Sequence, residues 1–430
     1  MRFLSAVATL LLLSSFTTEG YLRQGQGRKL HVQAGRQQEL GKQRLQPVAV
    51  TASAAQASSA VTSSAIKAVL KLIGTCGIGV YAGKQGILDK TALSVLSKLV
   101  FNIFQPCLLF CNVASTVASA KKNAAVWILP FAAALQIFIG YLVGKVVTTI
   151  IYGNKASTEE KRQTLTCTTF SNSGPLPFVF VDALLRTHPD PTMVGRANAY
   201  ISLYLLGWSP LFWIVAPAIL SDPSSTDGKS PEDKRKELIT RIFSPPVVGS
   251  LMGLLVGSVP FTRQILISPA GALNWFFSAM STLGAAYLPA VLLVLAGSLT
   301  PARDAAEEAA EQAKSPAVRN AESRAFFTQI SSIYAARYAL MPLVGFFLVA
   351  TIRRFAPSID RIFGADPLLV FILLLEACMP SAQNSTVILQ LQNKKTAAAR
   401  MARVLMLVYI LGIPALSYWL VRVLSATSLL

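Results

Sequence analysis

The sequence predicts an all-α polytopic membrane protein of ten transmembrane helices, arranged as a 5+5 inverted repeat with two broken crossover helices. Three observations predict it. Apolar runs of about twenty residues recur from residue 66 to the C-terminus. Basic residues concentrate in alternate connections between those runs. Two runs carry polar, proline-bearing breaks at matching places.

Composition supports the class. The 430 residues are 53% hydrophobic and 14% charged, whereas a soluble domain carries about 25% charged residues. Roughly 20 apolar residues are what a helix needs to cross about 30 Å of hydrocarbon. The net charge of +19 does not point to nucleic acid, because most Lys and Arg fall between the apolar runs, where they set orientation. The five cysteines sit inside apolar runs without metal-ligand spacing and read as small buried residues. His31 and His188 lie outside the spans, so no intramembrane histidine is at hand for a proton relay. No cofactor and no metal are expected.

Residues 1–19 read as a secretory signal: Arg2, an apolar stretch from Ala6 to Leu13, then small and polar residues. Residues 20–65 are basic, Ser/Ala-rich and poor in acid. That is transit-peptide composition, and equally that of a disordered lumenal tail. The first five-helix repeat, 66–220, holds spans 66–83, 92–115, 123–150, 163–185 and 197–220. A charged cytosolic loop, 221–241, follows. The second repeat, 242–426, holds spans 242–259, 268–300, 326–352, 367–391 and 398–426. Loop charges place eighteen Lys and Arg on one side and nine on the other. The positive-inside rule puts the eighteen in the cytosol and both termini outside or in a lumen, where a cleaved signal also leaves the N-terminus. The location expected is the endoplasmic reticulum or a plastid envelope membrane.

Five spans per half give the halves opposite topology. Pro106-Cys-Leu-Leu-Phe-Cys-Asn-Val-Ala-Ser115 in span two and Pro289-Ala-Val-Leu-Leu-Val-Leu-Ala-Gly-Ser298 in span seven share proline, leucine and serine in register, which supports an inverted repeat. The breaks are Ser171-Asn-Ser-Gly-Pro-Leu-Pro177 in span four and Cys378-Met-Pro-Ser-Ala-Gln-Asn-Ser385 in span nine. Proline lacks an N–H and clashes with the preceding turn, and hydrocarbon supplies no partner for the groups it frees. Pro130, Pro210 and Pro342 read as simple kinks. The paired breaks, each beside an Asn, read as a site.

New half-helices are expected after Pro177 and after Pro380, each presenting unpaired N–H groups and roughly +0.5 of a charge. In an inverted repeat these ends converge at mid-membrane, which suits a carboxylate. Asn172, Gln383 and Asn384 add neutral donors. The substrate-binding set is Asn172, Gly174, Pro175, Pro177, Pro380, Gln383 and Asn384. Lys98, Asp182, Arg337 and Glu376 are charges within spans, which are costly and usually paired or functional. Glu376, one turn before Pro380, is read as a proton-coupling residue or as a partner of Arg337 or Lys98. Asp182 is the second coupling candidate, and Lys98 is read as snorkelling.

These residues carry a resemblance. Asn172-Ser-Gly-Pro-Leu-Pro177 resembles the Asn-x-Gly-Asn-Leu-Pro signature of the auxin efflux carrier family, particularly its PIN-like branch. Phe101-Asn-Ile-Phe-Gln-Pro106-Cys-Leu-Leu-Phe is similar to the family's Asn-x-Phe-x-Pro-x-Leu in span two. Pro246-Val-Val-Gly-Ser-Leu-Met-Gly-Leu-Leu-Val-Gly-Ser-Val-Pro260 looks like its span six, and Pro380-Ser-Ala-Gln-Asn384 like its Pro-Pro-Ala-x-Asn in span nine. The resemblance implies a fold like that of bile-acid sodium symporters, with a scaffold domain and a transport domain. It also implies an elevator-type motion, a carboxylate substrate such as indole-3-acetic acid, and Asn172, Pro177, Pro380 and Asn384 at the crossover. Pro175 stands where the family usually has Asn, and Ser381 where it often has a second Pro. The short 221–241 loop favours a member of an intracellular membrane.

The partners expected are a small organic anion and membrane lipid, with a homodimer left open and no nucleic acid. A sodium-coupled symporter of the same fold is the alternative, using Ser173, Ser381 and Ser385 oxygens. A non-transporting receptor is more remote. An intramembrane hydrolase lacks its residues: no span holds a His, and Asp182 is the single embedded Asp.

Overall fold

The computed structural model describes residues 63, 70, 74–119, 127–153, 158–186, 188–221, 231–299, 315–427 and 429. The expected signal and all but one residue of the 20–65 tail lie outside the described residues. Every regular element among them is helical, and the single β contact is an isolated antiparallel bridge between Ser171 and Ser381.

The helices are α1 (74–84), α2 (Lys90–Ala118), α3 (Ile128–Tyr152), α4 (Glu159–Thr169), α5 (Pro175–Leu185), α6 (Met193–Leu220), α7 (Pro231–Ile242), α8 (Pro245–Ser258), α9 (Pro260–Ile267), α10 (Asn274–Gly297), α11 (Pro316–Phe355), α12 (Pro357–Ala365), α13 (Pro367–Ala377), α14 (Asn384–Leu391) and α15 (Lys395–Thr427). Six of them, α2, α3, α6, α10, α11 and α15, are long and apolar enough to cross a membrane. The pair α8–α9, bent by 96° at Val259, makes a seventh if taken as one span. The expected spans four and nine are each two short helices about a break, α4–α5 and α13–α14. Among the described residues, continuous helices of that length therefore do not reach ten: proline and polar residues interrupt runs that hydropathy alone joins, and residues 66–69 and 71–73 of the first expected span lie outside the described residues.

Helix α3 shows how lipid reverses the usual amphipathic pattern. Phe131, Leu135, Phe138, Leu142, Val146 and Ile150 recur every three or four residues and are 45% to 76% exposed. The opposite face buries Ala133, Ile137, Gly140 and Gly144. The large apolar side chains face outward and the small ones face neighbouring helices, as expected where close backbone packing rather than water exclusion drives association. A Cβ on Gly140 would lie 2.7 Å from the Thr169 carbonyl oxygen of α4, and one on Gly207 of α6 would lie 2.2 Å from the Pro130 oxygen of α3.

A second glycine seam joins α8 to α2. Cβ atoms on Gly249, Gly253 and Gly257 would fall 2.5, 2.7 and 2.6 Å from the carbonyl oxygens of Pro106, Phe110 and Ala114. The four-residue spacing on both helices keeps one face in contact over more than two turns. Beside this seam, Phe110, Cys111, Ala114 and Val256 form a small apolar cluster with Leu266, Ile267, Phe277 and Met280, separate from the main core.

Helix starts divide into two kinds. Asp89, Thr158 and Ser315 cap α2, α4 and α11 with side-chain oxygens that accept from Ala92, Lys161 and Val318 N–H groups, as helices entered from water usually do. Helices α5 and α14, with Gly174 and Gln383 at their N-cap positions, start without a side-chain cap, as do α6, α8, α10, α12 and α13.

Candidate functional site

The two breaks run antiparallel beside each other. Asn172 N–H donates to Pro380 O at 2.6 Å, and Ala382 N–H donates to Phe170 O at 3.0 Å. Each broken segment thus supplies the backbone partner that hydrocarbon cannot. The surrounding helices complete the set. Ser381 Oγ donates to Cys167 O at 2.8 Å, and Tyr409 of α15 donates its hydroxyl to Ser381 O at 2.7 Å. Arg337, in a π-type turn of α11 over Ala336–Leu340, donates to Met379 O at 2.6 and 3.1 Å and to Thr168 O at 3.3 Å.

Side chains tie the breaks together and to the rest of the fold. Asn172 Nδ2 donates to Gln383 Oε1 at 3.2 Å and to the Tyr409 hydroxyl at 2.8 Å. The Tyr287 hydroxyl of α10 donates to Asn384 Oδ1 at 2.8 Å, leaving the amide nitrogen of Asn384 for the cavity alongside.

Asn172, Gly174, Gln383 and Asn384 line that small cavity, with Gln105, Leu108 and Leu109 from α2, Leu205, Trp208 and Ser209 from α6, Ala382 from the second break, and Tyr287. Four buried polar atoms of its lining residues have no hydrogen-bond partner: Gln383 Nε2, Trp208 Nε1, Ser209 Oγ and Gln105 Oε1. Two are obligate donors and Ser209 can donate. Gln105 Oε1 is an acceptor; unpaired buried polar groups are expensive, and three of these four can donate to a bound group. Leu108 and Tyr287 also line a wider vestibule of about 550 Å³. The two cavities therefore adjoin across Leu108 and Tyr287.

The remaining sequence-predicted residues fall as follows. Helix α5 starts at Pro175 rather than after Pro177, so Pro177 is its third residue and lies buried away from the cavity lining. Two of the first three residues of α5 lack an N–H. Pro380 is buried in the extended second break and serves through its carbonyl. Helix α14 starts at Asn384, not directly after Pro380. Its Ser385 and Thr386 N–H groups turn back to Ala382 O and Gln383 O at 3.4 and 3.1 Å. Fewer backbone donors are free than two bare helix ends would offer, and side-chain donors carry more of the site.

Glu376 is fully buried. Neither of its oxygens has a hydrogen-bond partner, and it lies off the cavity lining. Ser173, Arg337 and Tyr204 are its polar neighbours. The guanidinium of Arg337 is engaged by carbonyls, not by Glu376, and Lys98 is exposed on α2. Asp182 lines the vestibule and is held by Arg186 at 2.7 Å, both side chains being half-exposed or more. All five cysteines are buried and free, and no metal-binding group of His, Cys, Asp and Glu occurs among the described residues.

Sequence reasoning did not pick out Gln105, Trp208, Ser209, Tyr287 or Tyr409. Two of them had a signal: Gln105 precedes Pro106 and Tyr287 lies two residues before Pro289, the prolines shared by spans two and seven. Both helices are irregular there, with a π-type turn at Val100–Phe104 and a junction at Ala286.

Long apolar helices around two interrupted ones, with the interruptions facing a cavity, are the build of a membrane transporter. The chain belongs to the family described as Membrane transport protein, which matches residues 64–420. It is a transporter, not an enzyme. Protein PIN-LIKES 5 of Arabidopsis thaliana is 26% identical over 378 residues, covering 76% of this chain and 88% of the relative. Protein PIN-LIKES 3 of the same plant is 22% identical over 403 residues, covering 84% and 96%. An uncharacterized transporter of Saccharomyces cerevisiae is 21% identical over 305 residues, covering 55% and 70%.

Proposed function

We propose that this protein is a secondary transporter that carries a small organic anion, an auxin-like carboxylate, across an intracellular membrane by an elevator-type motion. The observation that carries the reading is the cluster of buried, unpartnered donors from Gln383, Trp208 and Ser209 beside the crossed breaks. A carboxylate accepts from several donors at once. Neutral donors bind it without the hold of a fixed positive charge. The small cavity is about 20 Å³, so in this reading the body of the substrate lies in the vestibule beyond Leu108.

In this reading α4–α5 and α13–α14 are spans four and nine, which with α1 completes ten. Helices α1, α2, α8, α9 and α10 are the scaffold and the others the moving body. Glu376 couples a proton to the cycle, with Arg337, Tyr204 and Ser173 as the groups around it. Asp182 sits on the route through the vestibule. The membrane is that of the endoplasmic reticulum or a plastid envelope, with both termini lumenal or outside.

The test is flux of labelled indole-3-acetate into proteoliposomes, with and without a pH gradient, against a panel of unlabelled carboxylates. Saturable flux inhibited by a panel member is expected. Neither flux nor competition in correctly oriented protein would refute the anion reading.

A further inference from the structure

We infer that Gln390 of α14 is a latch on the side of the 221–241 loop: its amide, paired once with Ser298 and otherwise unpaired, sets how readily the carrier opens there. The latch rests on the proposed division into scaffold and moving body, and adds where the two part.

Helix α6 gives the axis. The vestibule takes Gly195, Asn198, Ala199 and Ser202 from its first turns and reaches the surface at Asp182, whose side chain is half-exposed. The last turn of α6 meets the residues just after α14: Gln392 Nε2 donates to Pro217 O at 3.4 Å, and Lys394 Nζ to Leu220 O at 2.8 Å. From Ser202 to Pro217 is about 22 Å at 1.5 Å per residue. The vestibule and the end of α14 thus lie toward opposite faces of the protein.

At the α14 end the helices are close-packed. Between Lys90 and Leu99 of α2, Leu93 and Ser97 are buried, and this stretch packs against both α14 and the second half of α10. A Cβ on Gly297 would lie 2.4 Å from Leu93 Cδ2, and one on Gly79 of α1 would lie 2.5 Å from Ala296 Cβ. Into this apolar seam α14 brings Val387, Ile388, Leu389 and Gln390, all buried. Gln390 Nε2 donates to Ser298 Oγ at 3.1 Å, and Ser298 Oγ donates on to Val294 O at 2.7 Å. Gln390 lies about 9 Å along α14 from Asn384 and lines neither cavity.

The seam is only half satisfied. Gln390 Oε1 and Ser97 Oγ are buried without a partner. An apolar side chain at 390 would close the seam without that penalty, because a buried polar group lacking a partner costs free energy. Parting the seam admits water, which pairs both groups. One ordinary bond therefore holds the closed state against a penalty that opening removes, and the balance keeps both states within reach.

The experiment uses purified full-length protein in lipid nanodiscs, where both faces are reachable. Single cysteine reporters are labelled with a polar maleimide, and the five native, buried cysteines are measured as background. Ser97→Cys reports the seam, and Ala285→Cys reports the vestibule wall. Each reporter is combined with Ser298→Ala or with Gln390→Leu. An ordinary hydrogen bond corresponds to about 2- to 10-fold in an equilibrium. Ser298→Ala strands the whole amide and is expected to speed labelling of Ser97→Cys by that factor. Gln390→Leu strands nothing, since Ser298 keeps Val294 O, and is expected to slow it below the unmodified background. Neither variant is expected to speed labelling of Ala285→Cys.

Opposite signs from the two sides of one bond are what a latch gives and general loosening does not. Seam labelling that moves the same way in both variants, that does not move, or that rises together with the vestibule reporter would overturn the latch. Should Gln390→Leu not fold, Gln390→Met replaces it with the same expected sign. Labelling needs no substrate. A latch response in protein that carries no anion would support Gln390 while removing the anion reading, and anion flux with both variants labelling like wild type would do the reverse.

Discussion

Asn384→Ala removes the amide that lies between the α14 start and the small cavity. In the structure the Tyr287 hydroxyl occupies its oxygen at 2.8 Å, so the NH₂ end is the part offered to a bound carboxylate. A hydrogen bond to a charged group contributes about 1.5–3 kcal/mol net, and each 1.4 kcal/mol is tenfold in affinity. The variant is expected to lose about 10- to 150-fold in apparent affinity. Its fold is expected to survive, because the stranded Tyr287 hydroxyl costs about 1–3 kcal/mol. Tyr287→Phe is the control: it deletes the same bond from the other side, keeps the amide, and is expected to shift affinity only a few-fold. The assay is the concentration dependence of flux in proteoliposomes, with size-exclusion profile and melting temperature as checks on folding. Wild-type affinity and maximal flux in well-folded Asn384→Ala would remove the crossover amide from the mechanism.

Other perturbations follow from the packing and the charges. Gly253→Leu drives a side chain into the Phe110 backbone, where even a Cβ would sit 2.7 Å from its oxygen, and is expected to destabilise by about 1–3 kcal/mol or more. Leu255→Ala on the exposed face of the same helix is expected to shift the melting temperature far less. Arg186→Ala bares the Asp182 carboxylate on the vestibule wall. Anion uptake should weaken, recover in Arg186→Ala/Asp182→Asn, and weaken less at high salt, where the repulsion is screened. Glu160→Ala breaks the 2.6 Å bridge to Arg400 between α4 and α15 and is expected to cost about 1.5–3 kcal/mol, the range for a hydrogen bond to a charged group, read as a drop in melting temperature. Glu376→Gln keeps the shape of a fully buried side chain and removes its titration. Flux should continue but lose its response to a pH gradient, and an unchanged response would assign coupling elsewhere.

The apolar runs, the loop charges and both breaks were legible in the chain because each is a local property. Hydropathy is set by twenty neighbouring residues, and a proline in an apolar run removes its own N–H wherever the helix lies. Asn172, Gly174, Gln383 and Asn384 could be named as candidates for the same reason: they sit within or next to those breaks, and all four line the cavity. The half-helix starts were misplaced, at Pro175 rather than after Pro177 and at Asn384 rather than after Pro380. Where a broken helix resumes depends on what satisfies its free backbone, and that partner is the other break, some 210 residues away.

Only the tertiary structure decided that pairing and the residues gathered around it. Tyr287, Tyr409, Trp208 and Arg337 come from four different helices; Arg337 stands out in the sequence as a charge within a span, but its partners do not, and Tyr409 and Trp208 carry no mark among many aromatic residues. Their role appears when the Tyr287 hydroxyl meets Asn384, Tyr409 meets Asn172 and Ser381, and Arg337 meets carbonyls of both broken helices. Local chemistry determined that the chain crosses a membrane and breaks twice. Which groups those breaks leave unpaired, and so what they can bind, depended on contacts between distant segments, because a backbone group in hydrocarbon is satisfied only by what the fold brings to it.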